Sequence, residues 1–168
     1  AGGLLDARSL ASSPRQVTSY NGTAGIAFEW PVDYTSPTSS ELSTAQINDL
    51  LTNGPFSAST TTAAEITANQ AFGVTIVDYL LGDDTNEGTA TGDFRERNGH
   101  RLGDIVHSGP FYVGPPSTPY PNLIEGASYP YSAFASSNST RAGRVYVGAN
   151  DGMLHVFDSN GGSTAGEE

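Results

Sequence analysis

The sequence predicts a mainly β, loop-rich fold with antiparallel hairpins and one or two short helices. Two stretches alternate between apolar and other residues, which is the period of a β-strand. Each is interrupted by Asn-Gly or Asn-Asp-Gly, which favours a tight turn. The 168 residues also include 20 glycines and 10 prolines, which divide the chain into short segments. We expect a mixed α/β segment over residues 1–91 and a β-rich segment over residues 92–168.

The first elements are a short helical turn and a hairpin. The helical turn is expected at residues 4–10. Strands at 16–20 and 25–30 flank Asn21-Gly22, a pair that predicts a hairpin turn. The second strand should end before Pro31, because proline disfavours a continued strand.

Two helices are predicted next. Ser43 and Gln46 have the spacing of a capping box, which opens a short amphipathic helix that Asn53-Gly54-Pro55 should end. A longer helix is expected from residue 62 to about residue 81, because apolar residues recur near one helical face.

Loops and short strands are predicted for the middle of the chain. Residues 82–98 are polar and acidic, which indicates a surface loop. Apolar residues within 105–113 predict one strand broken by Ser108-Gly109-Pro110, and the prolines of 115–130 predict an extended loop. Residues 131–135 alternate, which predicts a short strand.

The clearest pattern lies at residues 144–158, where two alternating arms flank a turn, and a second turn follows. The turn residues tolerate positive φ or accept hydrogen bonds from the backbone. They are Asn150, Asp151, Gly152, Asp158 and Gly161. Strand, turn, strand and turn is the order of a β-propeller blade, although any antiparallel hairpin has the same period. The side chains expected on buried strand faces are Val145, Val147, Leu154 and Val156.

The composition excludes several classes of protein. Seven basic residues stand against 18 acidic ones, so the net charge of −11 should repel nucleic acid and anionic membranes. The chain contains no cysteine, which excludes disulfides and thiol catalysis. No apolar run is long enough for membrane insertion.

One acidic loop is a candidate metal site. Calcium prefers oxygen ligands, and several cluster there. The candidate ligands are Asp83, Asp84, Asn86, Glu87 and Asp93. Their spacing differs from that of the twelve-residue helix-loop-helix calcium loop, and a solvated acidic loop would have the same composition. We predict no cofactor, with calcium as the one candidate ion.

No catalytic residues are predicted. His100, His107 and His155 lack the paired spacing of zinc ligands, and no serine lies in a Gly-x-Ser-x-Gly elbow. A phosphate-binding Gly-x-x-x-x-Gly-Lys motif is excluded, because the chain has no lysine. The expected function is therefore non-enzymatic.

Three segments resemble the PilY family of type IV pilus tip adhesins and assembly factors. They are residues 92–97 (GDFRER), 101–114 (RLGDIVHSGPFYVG) and 145–158 (VYVGANDGMLHVFD). The resemblance implies that residues 92–168 form the start of a quinoprotein-like β-propeller, with a first blade truncated at the C-terminus. Because members of the family are long proteins, it also implies that the chain is a fragment.

By the same resemblance, the protein would be exported through the bacterial periplasm and act outside the cell, at the pilus tip, in surface attachment and pilus biogenesis. Its partners would be minor pilins or other pilus tip proteins, and a host or abiotic surface. Quinone-dependent dehydrogenases share this blade style, but their cofactor needs a complete propeller around it.

Two other functions are consistent with the sequence. An unpaired strand edge would allow self-association, so the chain could be a structural subunit of an extracellular filament assembled by β-strand complementation. The chain could instead be a secreted glycan-binding module that presents tyrosines beside the proline-rich loop. These are Tyr112, Tyr120, Tyr129 and Tyr131. We favour the simpler interpretation that the tyrosines pack the loop onto the strands.

Overall fold

The computed structural model describes residues 2–124, 126 and 128–160. The helices are α1 (Gly2–Asp6), α2 (Thr44–Leu50), α3 (Ala63–Leu81) and α4 (Tyr131–Ser137), and a 3-10 turn covers Leu51–Asn53. The strands are β1 (Thr18–Tyr20), β2 (Gly25–Ala27), β3 (Glu87–Gly88), β4 (Phe94–Arg95), β5 (Phe111–Val113), β6 (Arg144–Gly148) and β7 (Leu154–Asp158). They form three small sheets, β1–β2, β3–β4 and β5–β6–β7. The predicted mainly β, loop-rich class with antiparallel hairpins is confirmed, and the described residues also hold the four helices.

The chain divides into two compact units, which we call the N-terminal and C-terminal units. The N-terminal unit is Ser9–Gly99. The C-terminal unit comprises the described residues of Ala1–Arg8 and His100–Glu168. The boundary expected between residues 91 and 92 stays a prediction.

The hairpin predicted around Asn21-Gly22 is confirmed. Strands β1 and β2 are antiparallel, with Thr18 opposite Ala27 and Tyr20 opposite Gly25. The Asn21 side-chain oxygen accepts hydrogen bonds from the backbone N–H groups of two turn residues, at 3.1 and 3.0 Å. The turn therefore has a local chemical cause, as its sequence indicates.

The capping box at the start of α2 is also confirmed. Ser43 Oγ accepts from the Gln46 backbone N–H at 3.4 Å, and Gln46 Oε1 accepts from the Ser43 backbone N–H at 2.9 Å. The helix places Ile47 in the core of the N-terminal unit. That core also contains Ile26, Tyr34, Leu42 and Leu51. Hairpin and helix thus share one apolar cluster.

Helix α3 follows the predicted span closely and ends at Gly82, whose φ of 113° is the left-handed conformation of a helix C-cap. Midway along it, Gly73 is buried against the indole of Trp30. A Cβ at position 73 would lie only 2.0–2.4 Å from carbons of the Trp30 ring. Glycine, normally unfavourable inside a helix, is what lets the indole approach this closely.

None of the helices within the described residues has the length and apolar character needed to cross a bilayer.

In the C-terminal unit, α1 is held by Arg101. The helix covers Gly2–Asp6 rather than the predicted residues 4–10. The Arg101 guanidinium donates to three backbone carbonyls at and beyond its C-terminal end, at 2.8–3.0 Å. The carbonyls belong to Leu5, Asp6 and Arg8.

The hairpin of β6 and β7 is confirmed, but the prediction of which β7 side chains are buried is wrong. The buried side chains are shifted by one position along the strand from the predicted ones. His155 is 1% exposed and Phe157 is 5% exposed, whereas Leu154 is 68% exposed. Directly opposite residues of a strand pair share a face. The register places His155 opposite Val147, which is buried as predicted. Residues 149–153 connect β6 to β7, and the length of this connection sets which β7 side chains face the core. Lengthening or shortening it by one residue would turn the β7 side chains to the opposite faces of the sheet.

The strand predicted at residues 131–135 is wrong, because these residues form helix α4. Pro130 is its N-cap residue, and Asn122 Oδ1 accepts from the Ser132 backbone N–H at 2.8 Å. Tyr131 and Phe134, three residues apart, have ring centroids 5.8 Å apart. A spacing of three residues places both rings on one face of a helix. The Asn122 contact comes from ten residues away, so the local alternation of residues 131–135 could not distinguish this helix from a strand.

The strand predicted across residues 105–113 is shorter than expected. Only β5 is a strand, whereas Ile105 and Val106 lie outside it and are 43% and 61% exposed. The chain bends at residues 106 and 107, just before the predicted Ser108-Gly109-Pro110. Ser108 Oγ accepts from the Gly148 backbone N–H at 2.9 Å, and this bond ties Ser108 to the end of β6.

The Trp30–Gly73 contact predicts that a substitution that normally stabilises a helix will destabilise this one. Gly73→Ala should lower the free energy of unfolding of the N-terminal unit by roughly 1–2 kcal/mol, because overpacking against Trp30 outweighs the helix propensity of alanine. Urea unfolding followed by the fluorescence of Trp30, the single tryptophan, measures this. The matched control is Gly25→Ala, where an added Cβ meets nothing within 4 Å. A Gly73→Ala protein as stable as the control would contradict the packing argument.

Candidate functional site

Arg97 organises the acidic loop proposed as a calcium site. Its guanidinium pairs with the Glu87 carboxylate, and both side chains are largely buried, at 11% and 7% exposure. The same guanidinium donates to the carbonyls of Tyr79 and Asp83 at 2.9 and 2.7 Å, and it lies 4.1 Å from the centre of the Tyr79 ring. Arg97 thereby caps the C-terminal end of α3.

The other candidate calcium ligands take part in local turns. Asp83 and Asp93 accept backbone hydrogen bonds from residues two or three positions away, at 2.7 and 2.9 Å. Asp84 and Asn86 contribute backbone carbonyls as acceptors. Among the described residues, no group of three or more His, Asp or Glu side chains is placed to hold a metal ion. Calcium binding at this loop stays a prediction.

Asp151, predicted as a turn residue, joins two distant segments of the C-terminal unit. One carboxylate oxygen accepts from the Met153 backbone N–H at 3.0 Å, the local contact expected of a turn aspartate. The other oxygen accepts from the Gly103 backbone N–H and faces His155 Nε2, both at 2.9 Å. Asp151 therefore attaches residue 103 to the turn between β6 and β7.

The surroundings of Asp151 favour its charged form. Burial alone would raise the pKa of its carboxyl group, but the N–H groups of Gly103 and Met153 and the neighbouring His155 together hold that pKa below its ordinary value. The ionised carboxylate is therefore the form that the folded unit stabilises.

Two neighbours make this contact sterically specific. A Cβ on Gly103 would lie 2.6 Å from the backbone nitrogen of Asp151, so only glycine allows the approach. His155 is buried, and its ring stacks on Phe157 with a centroid distance of 6.0 Å and an interplanar angle of 7°. A histidine in an alternating strand gave no sign that it faced the core, and nothing local linked Gly103 to Asp151.

The remaining turn residues have structural contacts. The Asn150 backbone N–H donates to the Asp104 carbonyl at 3.0 Å, and Gly152 has a φ of 82°. Asp158 pairs with Arg144 at 3.1 Å and accepts from the Asn160 backbone N–H at 2.8 Å. Gly161, also predicted as a turn residue, lies outside the described residues.

An aromatic surface lies beside the proline-rich loop. Tyr112, Tyr120 and Tyr129 are 60%, 56% and 76% exposed, so they do not pack the loop tightly onto the strands as we favoured. Tyr131 is half-buried and meets the Tyr120 ring edge-on at 5.2 Å. Residues 128–131, 133 and 134 line a surface groove of about 480 Å³.

Comparison with known proteins gives matches to one family. The model of the PilY1 β-propeller domain matches residues 102–168. These residues include the Gly103 contact, the three-stranded sheet and the Asp151 turn. No solved structure matches the chain significantly.

Three relatives are proteins described as type IV pilus biogenesis factor PilY1 or its homolog. The chain is 36% identical over 163 residues to that of Pseudomonas aeruginosa UCBPP-PA14, covering 94% of the chain and 12% of the relative. It is 49% identical over 91 residues to that of P. aeruginosa PAK, covering 52% and 7%. It is 47% identical over 87 residues to the Xylella fastidiosa Temecula1 homolog, covering 51% and 7%. The chain thus spans only a small part of each relative.

The Asp151 contacts predict a pH-dependent stability difference. Asp151→Asn should lower the free energy of unfolding of the C-terminal unit by about 1–3 kcal/mol at pH 7, because the Gly103 N–H loses its charged acceptor. A carboxyl group with a lowered folded-state pKa stabilises the fold above its ordinary pKa, near pH 4, and the contribution is lost as the pH falls through the lower value. The difference should therefore shrink towards pH 3.

Urea unfolding followed by NMR signals of β6 and β7 at both pH values measures this difference. Asp104→Asn is the matched control, since it removes the same charge from the same unit and Asp104 contacts Asn150 through its backbone carbonyl. An equal loss of stability at pH 3 and pH 7 would show that the charge of Asp151 is not responsible.

Proposed function

Since residues 102–168 belong to the PilY1 β-propeller domain family, we propose that the chain is part of a type IV pilus biogenesis factor. The observation that supports this most strongly is that one family model covers the whole three-stranded sheet and both partners of the Gly103–Asp151 contact. The 36% identity to a pilus biogenesis factor over 94% of the chain extends the support to the N-terminal unit.

The role we propose is non-enzymatic. Histidine and aspartate pairs often serve as acid–base catalysts, but a catalytic pair must reach its substrate. His155 is 1% exposed and stacked on Phe157, and the Asp151 carboxylate accepts two backbone hydrogen bonds. These contacts support a structural role for the pair.

We further propose that the protein acts outside the cell, at the pilus tip, in surface attachment, with minor pilins or other tip proteins as partners. The net charge of −11 and the exposed tyrosines around the proline-rich loop suit a surface that contacts uncharged or polar partners rather than anionic ones.

A second candidate function, glycan binding, is favoured by the exposed aromatic rings. Tyrosines that present a flat face beside a groove can stack on sugar rings, and Tyr129 and Tyr120, at 76% and 56% exposure, lie within the loop itself. Glycan-array binding by the chain, lost in Tyr120→Ala and Tyr129→Ala but kept in Tyr20→Ala, would support it. Tyr20 is a suitable control because it is 64% exposed in the N-terminal unit.

Pilus formation tests the main proposal. Val147→Asp, introduced into the gene in its own bacterium, should abolish surface pili, because it buries an unpaired charge at a position that is 4% exposed and unfolds the hairpin. Val32→Asp, the same change at a position that is 92% exposed, should leave the pili unchanged.

Electron microscopy counts the pili, and a surface-attachment assay follows the same strains. Loss of attachment with normal pili would restrict the role to adhesion. Normal pili and normal attachment in the Val147→Asp strain would contradict the proposal.

A further inference from the structure

The chain contains four Asn-Gly pairs, at residues 21–22, 53–54, 98–99 and 160–161, and the first three lie wholly within the described residues. In such a pair the glycine backbone nitrogen can attack the asparagine Cγ, because glycine has no Cβ to hinder the approach. The attack requires a glycine nitrogen that is not bonded elsewhere and an asparagine side chain that can turn towards it. The contacts around each pair therefore decide which asparagine reacts.

The pair at Asn21 is held by both ends of the asparagine side chain. The side-chain nitrogen donates to the carbonyls of Ser39 and Glu41, at 2.9 and 3.1 Å. The side-chain oxygen accepts from the backbone N–H groups of two turn residues, at 3.1 and 3.0 Å. Turning the Asn21 side chain towards the Gly22 nitrogen would break these hydrogen bonds, so the fold protects this pair.

The pair at Asn53 is blocked at its glycine. The Gly54 backbone N–H donates to the Leu51 carbonyl at 2.9 Å, within the 3-10 turn that follows α2. Gly54 is also closely packed, since a Cβ at this position would lie 3.0 Å from the same carbonyl oxygen. The Gly54 nitrogen would have to leave this hydrogen bond before it could reach the Asn53 side chain.

The pair at Asn98 has neither restraint. Asn98 and Gly99 are exposed, and within the part of the chain that the structure describes neither residue forms a hydrogen bond. A Cβ at Gly99 would meet nothing within 4 Å, so the approach to its nitrogen is open.

The backbone of this pair is also strained. Asn98 has a φ of 53°, the only positive φ of a non-glycine residue among those described, and Gly99 has a φ of 76°. A left-handed conformation persists in a non-glycine residue where surrounding contacts fix it. No hydrogen bond among the described residues fixes this turn, so Asn98 can rotate to bring its Cγ to the Gly99 nitrogen.

We propose that the fold leaves Asn98 as a site of covalent self-modification, at which the chain is converted to aspartate and isoaspartate. The Gly99 nitrogen forms a bond to the Asn98 Cγ while the bond from Cγ to the side-chain nitrogen breaks. That nitrogen leaves as ammonia and takes the proton of the Gly99 N–H. Water then opens the resulting succinimide ring at one of its two carbonyls, which gives aspartate or isoaspartate. The reaction needs no co-reactant other than water.

The modification changes the main chain beside Arg97. Either product adds a negative charge, and isoaspartate also inserts a methylene group into the backbone. The Arg97 backbone N–H donates to Glu87 Oε2 at 2.8 Å, and its guanidinium caps the C-terminal end of α3. The modified residue therefore adjoins the contact that organises the acidic loop. The proposal does not depend on a role in pilus formation.

Mass spectrometry of the aged chain provides the test. The 168-residue chain is incubated at neutral pH, either folded or in concentrated urea, and is then digested with pepsin at acidic pH. Each conversion replaces a side-chain NH₂ group by OH, and the mass of its peptide rises accordingly. Electron-transfer fragmentation distinguishes isoaspartate from aspartate. Asn21 and Asn53, which are also followed by glycine, are matched controls within the same sample.

In the folded chain, Asn98 should be converted at least about fivefold faster than Asn21 or Asn53, because hydrogen bonds must open before either control can react. In urea, the three rates should converge, because the local contacts are lost. Equal rates in the folded chain would overturn the proposal. A preference for Asn98 that persists unchanged in urea would also overturn it, since the fold would then not be responsible.

The same measurement on the gene product, purified from its own bacterium and incubated in the same way, extends the test to the natural protein. Asn98 should again be converted faster than Asn21 and Asn53. Protection of Asn98 to the level of these two residues would show that the site is closed in the natural protein, which would overturn the proposal.

Discussion

The register between β6 and β7 is the constraint on which the C-terminal unit depends. It decides that Val147 and His155 share the buried face and that Leu154 does not. The register is held at the turn, where Asp151 accepts hydrogen bonds from Met153 on its own turn and from Gly103 far along the chain. A slip of β7 by one residue would turn His155 and Phe157 away from the buried face and separate Asp158 from Arg144, so one carboxylate stabilises both the connection and the choice of face.

The features that the sequence predicts well are those with a local cause. The Asn21-Gly22 hairpin, the Ser43–Gln46 capping box and the α3 span each depend on residues close together in the chain, and each is found where expected. The features that it misses depend on distant partners. Asn122 caps α4, and this contact has no signature in the alternating pattern of residues 131–135. The buried face of β7 is set by its pairing with β6. The hydrophobicity of Leu154 and Val156 alone predicts the opposite face.

The acidic loop illustrates how far composition can predict a site. Clustered carboxylates are equally suited to a hard cation or to a buried arginine, and their order along the sequence does not choose between them. The structure shows Glu87 engaged by Arg97, which also binds the carbonyls of Tyr79 and Asp83. Because Arg97 lies ten residues beyond Glu87, the pairing depends on how the loop folds back against α3. The sequence therefore identifies the carboxylates of the loop but not the cationic group that they bind.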